Sequence, residues 1–190
     1  MFIRSERLFL RPGWAEDWQE LCTAIQDEGI VRNLVHAPWP CRPEHAADFA
    51  ERMSTPALPR FLITVPSTAG SAVIGCVWLE SRDQQIELGC WIARGHWGHG
   101  YATEAVRATL SVARALGHGR ILARHFHDDP ASARVLEKAG FSRTGKRPNR
   151  FSPARGELAL SIEFEIRLDE GDDFDGGDGF GGGDAPRMAA

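Results

Sequence analysis

The chain has one tyrosine, three methionines and four cysteines among its 190 residues. It has no apolar run near the roughly 20 residues needed to cross a bilayer, which excludes a helical integral membrane protein. Cys22, Cys41, Cys76 and Cys90 show no C-x-x-C spacing. A zinc ribbon or disulfide scaffold is therefore excluded, and a reducing cytosol fits. The opening Met1-Phe2-Ile3-Arg4-Ser5-Glu6-Arg7 lacks an apolar block followed by a small-residue cleavage site. No secretory signal is expected, and the reading is a cytoplasmic protein. Positive charge is not in excess either: 22 Lys+Arg stand against 26 Asp+Glu, a net −4. With no basic helix, nucleic-acid binding is not expected.

What is present is an ordinary core-forming composition, 43% hydrophobic and 25% charged, at single-domain length. The acidic charge is unevenly placed. Residues 169–190 hold seven acidic residues and one arginine, a net −6, which leaves residues 1–168 at +2. This glycine-rich tail has Phe174 and Phe180 as its large apolar side chains and cannot offset its ordering entropy, so it reads as a disordered acidic appendage to a domain over 1–168. A calcium-binding glycine–aspartate repeat needs G-G-x-G-x-D. Gly176-Gly177-Asp178-Gly179-Phe180-Gly181 places glycine where the ligand belongs.

Periodicity gives the layout. Arg7–Pro12 reads as a short strand closed by proline. Residues 14–34 read as one helix, Ala37–Pro43 as a proline-rich loop and Glu44–Met53 as a second helix. Phe61–Val65, Ala72–Leu79 and Ile86–Ile92 form an antiparallel meander on hairpin-length turns. Tyr101–Leu116 is helical, stopped by Gly117 and Gly119, and Ile121–Phe126 is a strand. Asp129 caps a helix opened by Pro130 and ended by Gly140. Leu158–Leu168 alternates as a long half-buried strand. The class is mixed α/β, without the regular alternation of a doubly wound fold.

The chemistry concentrates where the Ile86–Ile92 strand meets the Tyr101 helix, across Arg94-Gly95-His96-Trp97-Gly98-His99-Gly100. Glycines 95, 98 and 100 permit left-handed backbone angles and close approach of a ligand. Free amides at a helix N-terminus suit a phosphate or diphosphate, with Arg94 and His96 adding charge at the rim. A P-loop would need Lys-Ser/Thr after the last glycine, but Tyr101-Ala102 follows. The dinucleotide fingerprint needs a small residue at Thr103 and a parallel βαβ unit, whereas this strand closes an antiparallel meander.

This stretch resembles the acyl-CoA loop of GNAT-type N-acetyltransferases, closest to the RimJ/RimL-like branch acting on ribosomal-protein N-termini. Ser5–Pro12, Ile86–Ile92, Trp97–Ala105 and Asp129–Phe141 agree in order, so the likeness spans about residues 5–168. It implies the GNAT fold, a mixed, mostly antiparallel sheet flanked by helices. It also implies acetyl-CoA as co-substrate, bound by Trp91, Ile92, His96, Trp97, Gly98, His99, Gly100, Tyr101, Ala102, Thr103, Asp129 and Ser132. Two positions depart from the family pattern: Gly95 stands where Arg or Gln is usual, and Asp129 where Asn is usual.

Acetyl transfer needs a neutral amine, a stabilised oxyanion and a proton for the thiolate. Glu87 is the candidate base, against the plainer reading of a surface strand carboxylate. Leu136 occupies the place where many relatives carry a tyrosine acid. Ser132 is the candidate acid, against an ordinary first-turn serine. An amide of Trp91 or Ile92, freed by a bulge at Gly89, is the candidate oxyanion donor. An α-amine near pKa 7.7–8.0 makes a smaller demand on a base than a lysine near 10.4, by about 3.5 kcal/mol. Neither His96/His99 nor His125/His127 completes a metal set, so no metal is expected. The six tryptophans read as core or cleft wall, with Trp39 expected beside the acceptor.

The expectation is therefore an N-acetyltransferase acting by direct transfer in a ternary complex. Cys90, opposite Glu87 on its strand, argues against an acetyl-cysteine step. The alternative is a non-catalytic acyl-CoA-binding regulatory module. Acceptor (a protein N-terminus or a small-molecule amine) and oligomeric state (monomer or homodimer) stay open.

Overall fold

Apolar residues between positions 58 and 92 form three long strands; the second hairpin keeps one register throughout, and the first shifts between Ile63 and Thr64. In the computed structural model, which describes residues 1–37, 40, 42, 44, 54–68 and 70–168, these are β4 (Leu58–Ser67), β5 (Gly70–Arg82) and β6 (Gln85–Ile92). Asp83 and Gln84 turn β5 into β6 with φ of 51° and 62°, the double left-handed turn that matches strand twist. Short β1 (Ile3–Arg4) and β2 (Phe9–Arg11) extend this sheet beyond β4, and β3 (Ser54–Thr55) also pairs with β4. On the other side come β7 (Arg120–Phe126), β10 (Glu157–Arg167) and β8 (Ser142–Arg143); β9 (Asn149–Ser152) pairs with β10. The order is β1-β2-β4-β5-β6-β7-β10-β8. Among the described residues only β6 and β7 pair in parallel, and their register covers just Glu87↔Leu122 and Leu88↔Ala123. Beyond those residues the two strands part.

The helices are α1 (Trp18–Ile25), α2 (Glu28–Val31), α3 (Tyr101–Ala115) and α4 (Pro130–Lys138). α3 and α4 cover one sheet face, where Leu79, Leu88, Val106, Leu110, Ile121, Ala123, Leu136 and Phe164 form a continuous core. On the opposite face α1 and α2 bring Leu21, Ile25 and Val31 onto Leu62, Cys76, Trp78 and Trp91. Adjacent strand residues such as Trp78 and Leu79 thus serve different cores, as the pleat requires.

Several boundaries differ from expectation. The helix expected over 14–34 is a 3-10 turn (Ala15–Asp17) followed by α1 and α2. The break falls at Asp27, whose carboxylate accepts the Gly29 amide and caps α2. β1, β3, β8 and β9 were not foreseen. The middle of the polar face of β10 is not solvated: Ser161 and Glu163 are 1% and 2% exposed. Thr144, Lys146 and Pro148 supply partners there, Ser161 Oγ donating to the Pro148 carbonyl at 2.7 Å. The helix expected over Glu44–Met53, the Trp39 position and the acidic tail 169–190 lie outside the described residues. Among the described residues, no helix is long and apolar enough to cross a membrane.

Candidate active site

The parting of β6 and β7 opens a slot through the sheet, and main-chain alternation decides what lines it. The Ala93 amide donates to the Ile74 carbonyl at 2.7 Å. Hydrogen-bonding direction alternates along an antiparallel strand. Trp91 therefore turns its amide toward β5, whereas Cys90 and Ile92 turn theirs toward the slot. The β5–β6 register is unbroken from Gly75↔Ile92 to Arg82↔Gln85. No bulge exists at Gly89, so the amide available as an oxyanion donor is that of Ile92 rather than Trp91. The Ile92 carbonyl is taken by the Trp97 indole, Nε1 donating at 2.6 Å.

The loop then builds a row of donors. Arg94–His96 makes a 3-10 turn, after which Gly98 and Gly100 both take φ of 80°, angles an L side chain resists. Gly95 does not share this conformation. The first helical bond of α3 runs from the Glu104 amide to Gly100. The amides of residues 98–103 donate to no acceptor among the described residues. With the helix dipole behind them, they form an anion cradle.

A brace from far along the chain holds this loop. Arg7 donates to the His99 carbonyl at 2.9 Å and to Glu104 Oε2 at 2.9 Å, while Ser5 Oγ donates to Glu104 Oε1 at 2.7 Å. The Arg7 guanidinium sits 4.9 Å over the Tyr101 ring, on which His99 stacks at 5.5 Å and beside which His96 lies at 6.3 Å. Arg94 instead pairs with Asp27 at 3.1 Å and sits over Trp97. Arg7 was missed as a site residue because its partner lies 97 positions away. Its only sequence signal is its place in the Ser5–Pro12 segment.

At the C-terminal end of β7, Asp129 caps α4. Its Oδ1 accepts the Ser132 amide at 3.1 Å and its Oδ2 accepts the Ser132 hydroxyl at 2.7 Å. The Ser132 proton is thus directed at a carboxylate. Nearby His125 is 6% exposed; its Nδ1 pairs with the Phe126 carbonyl at 2.7 Å, and its Nε2 has no partner among the described residues. His127 lies beyond β7 and is exposed.

Glu87 faces the other way, toward α1 and α2. It is 5% exposed, not a solvated strand carboxylate. Arg124 donates to its Oε2 at 2.6 Å and Arg150 to its Oε1 at 2.5 Å. Each oxygen thus accepts one arginine N–H and keeps a second lone pair. Arg124 also binds Glu163 through Nε, at 2.9 Å, and through Nη2. Sequence reasoning missed both arginines, which reach Glu87 from 37 and 63 positions away. Cavities of about 620 Å³ and 480 Å³ lie on this side of the sheet. The first runs from α1 to Arg94, Gly95 and His96; the second is bordered by Arg124, Arg150 and Glu163.

The chain matches the acetyltransferase (GNAT) domain family over residues 7–142. The uncharacterized N-acetyltransferase p20 of Bacillus licheniformis is 28% identical over 172 residues, 86% of this chain and 94% of p20. Among solved structures, a GNAT-family acetyltransferase from Bacillus anthracis aligns with a TM-score of 0.74 at 22% identity, covering 88% of this chain and 99% of that one. RimL, a ribosomal L7/L12 α-N-protein acetyltransferase in complex with coenzyme A, aligns with a TM-score of 0.72 at 15% identity, covering 88% and 98%. At these identities the structural likenesses establish the fold.

Proposed function

The chain belongs to the GNAT acetyltransferase family, and on that premise we propose that it moves the acetyl group of acetyl-CoA directly onto a primary amine in a ternary complex. The observation that carries this reading is the row of amides from Gly98 to Thr103 without an acceptor among the described residues, just past the end of β6, which parts from β7 after Leu88. The diphosphate of acetyl-CoA rests on that row, and the pantetheine arm follows β6 into the slot. From Ile92 back to Glu87 is roughly 16 Å at about 3.3 Å per residue.

The slot joins the two faces. The thioester comes from the α3/α4 side, and the amine from the side of Glu87. Nitrogen attacks the carbonyl carbon, the C–N bond forms and the C–S bond breaks. The Ile92 amide steadies the oxyanion, and one proton passes from nitrogen while the thiolate takes another. Glu87 receives the amine's proton on a lone pair that the two arginines leave open. Ser132, oriented by Asp129, stands on the thiolate side. Burial pushes the Cys90 thiol up to about 12, so a thiolate nucleophile is scarce at neutral pH, which favours direct transfer. An N-terminal α-amine is the acceptor type that asks least of a base held by two arginines.

That same arrangement favours the second reading, a regulatory acyl-CoA-binding module, because Glu87 and Ser132 both have their catalytic atoms engaged. Titration with acetyl-CoA, followed by CoA release in the presence of a mixed pool of peptides and small amines, separates the two. Turnover supports the enzyme. Tight binding without turnover supports the module, and no binding at millimolar coenzyme overturns both.

A further inference from the structure

The 480 Å³ cavity beside Glu87 has more cationic donors than anions to receive them. Four basic residues line it, Arg82, Arg124, Lys146 and Arg150, against the acidic Asp83 and Glu163 of its wall and Glu87 just behind. All three nitrogens of Arg124 are paired, with Glu87 or Glu163. The other three basic residues are not so fully paired. The Arg82 guanidinium contacts His36 and comes no nearer than 3.8 Å to Glu80 and 4.0 Å to Glu87. Lys146 stands 3.7 Å from Glu163, beyond hydrogen-bonding distance, with a side chain 67% exposed. Arg150 gives one nitrogen to Glu87; its Nη2 is buried with no partner among the described residues, and its side chain is 11% exposed.

A buried guanidinium nitrogen without an acceptor is costly, and native interiors seldom leave one. Burial lowers the tendency of Arg150 to hold its proton; Glu87 opposes this, and Arg82 and Arg124 add to it. The cations are crowded together, and one buried donor among them, Arg150 Nη2, has no acceptor among the described residues. The cavity also adjoins the slot. Arg124 is the first β7 residue past Ala123, the last one paired with β6, and Glu87 is paired with Leu122 at the inner end of the slot.

We infer that this cavity receives an oxyanion carried by the acceptor, so that the substrate is an amine bearing a carboxylate within a few bonds of the reacting nitrogen. This rests on the acetyl-transfer reading and narrows its acceptor class. The oxyanion takes the free valences of Arg150, Lys146 and Arg82 and places the amine at the mouth of the slot. Pro148, Phe151 and Val35 supply apolar wall for the stem. The carboxylate has two sources, the α-carboxylate or side chain of a free amino acid, or an acidic side chain next to a peptide N-terminus.

The test measures CoA release from acetyl-CoA with charged and neutral pairs at matched ionic strength. The pairs are glutamate against glutamine amide, and the C-terminally amidated peptides Ser-Asp-Ala-Ala against Ser-Ala-Ala-Ala. At least one charged member is expected to exceed its partner about tenfold in kcat/KM, and which one does so names the source. Lys146→Glu, on an exposed side chain, is expected to cut that ratio at least threefold, and Arg150→Gln to bring it near one. Should Arg150→Gln fail to fold, Lys146→Glu decides alone. Equal rates within both wild-type pairs, or a ratio untouched by Lys146→Glu, overturn the inference while leaving acetyl transfer standing. If no probe is acetylated, glutamate binding is followed by calorimetry. Binding lost in Lys146→Glu supports the oxyanion site although the transfer reading has failed, and no binding to wild type overturns it.

Discussion

The Trp78 indole lies against the bare backbone of Gly89, its cross-strand partner: a β carbon at residue 89 would stand 2.2 Å from Cζ2 and 2.4 Å from Cε2. Trp78 is 9% exposed and belongs to the core under α1 and α2, so the ring has little room to retreat. Gly89→Ala should cost about 1–3 kcal/mol by overpacking. Urea denaturation checks this, and an unchanged midpoint would mean that the indole repacks freely.

The cradle glycines should separate by backbone angle. Gly98 has φ of 80° and open space around it, whereas Gly95 has the same space without the left-handed angle. Gly98→Ala is expected to cost about 1–2 kcal/mol in strain and to raise KM for acetyl-CoA at least fivefold. Gly95→Ala should leave folding stability within about 0.5 kcal/mol. Thermal melts and initial rates against acetyl-CoA test the pair, and equal effects on stability would refute the assignment.

Acid should destabilise the fold in two stages. Burial, with Arg82, Arg150 and Arg60 and against Glu80, lowers the His36 pKa. The unfolded chain then takes up this proton first, and stability begins to fall below about pH 6.5. Burial alone would raise the Asp17 carboxyl, but hydrogen bonds from Arg11 and the Trp14 amide, with the Arg11 charge, outweigh it and hold it low. Glu163 is held low in the same way, against burial, by Arg124, Thr144 and Lys146. A depressed carboxylate gives stability that is complete above the unfolded value, about 3.9 for Asp and 4.3 for Glu, and is lost as pH falls through the folded one. Urea midpoints should drift down from pH 7 to 5 and drop steeply below about 4. Asp17→Asn strands the buried Arg11 charge and should cost about 3 kcal/mol at pH 7.

Cys90→Ala should keep turnover within a few fold of wild type. The thiol packs against the cores beneath α3, and its removal costs packing rather than chemistry. Loss of nearly all activity, or a covalently acetylated protein caught in single turnover, would contradict direct transfer.

Local features were legible in the chain. Gly98 and Gly100 marked the loop, Asp129-Pro130 the start of α4, and hairpin-length turns between apolar runs the β4–β6 meander, because each is set by residues close together in the chain. What escaped was long-range. No periodicity shows that Glu87 will meet Arg124 and Arg150, or that Arg7 will brace His99 and Glu104. On β10, alternation correctly separated two faces, but it could not show that Thr144, Lys146 and Pro148 would cover the polar one. The break at Asp27 was local and still missed, since apolar spacing continues across it.

The grip on the anion is made of N–H groups that every residue except proline carries. Exchange of a side chain alters charge and shape around that grip without deleting a single donor. Mutational drift can therefore remodel the walls of the acceptor cavity and change the molecule that is modified, while the handle for the shared donor is inherited intact.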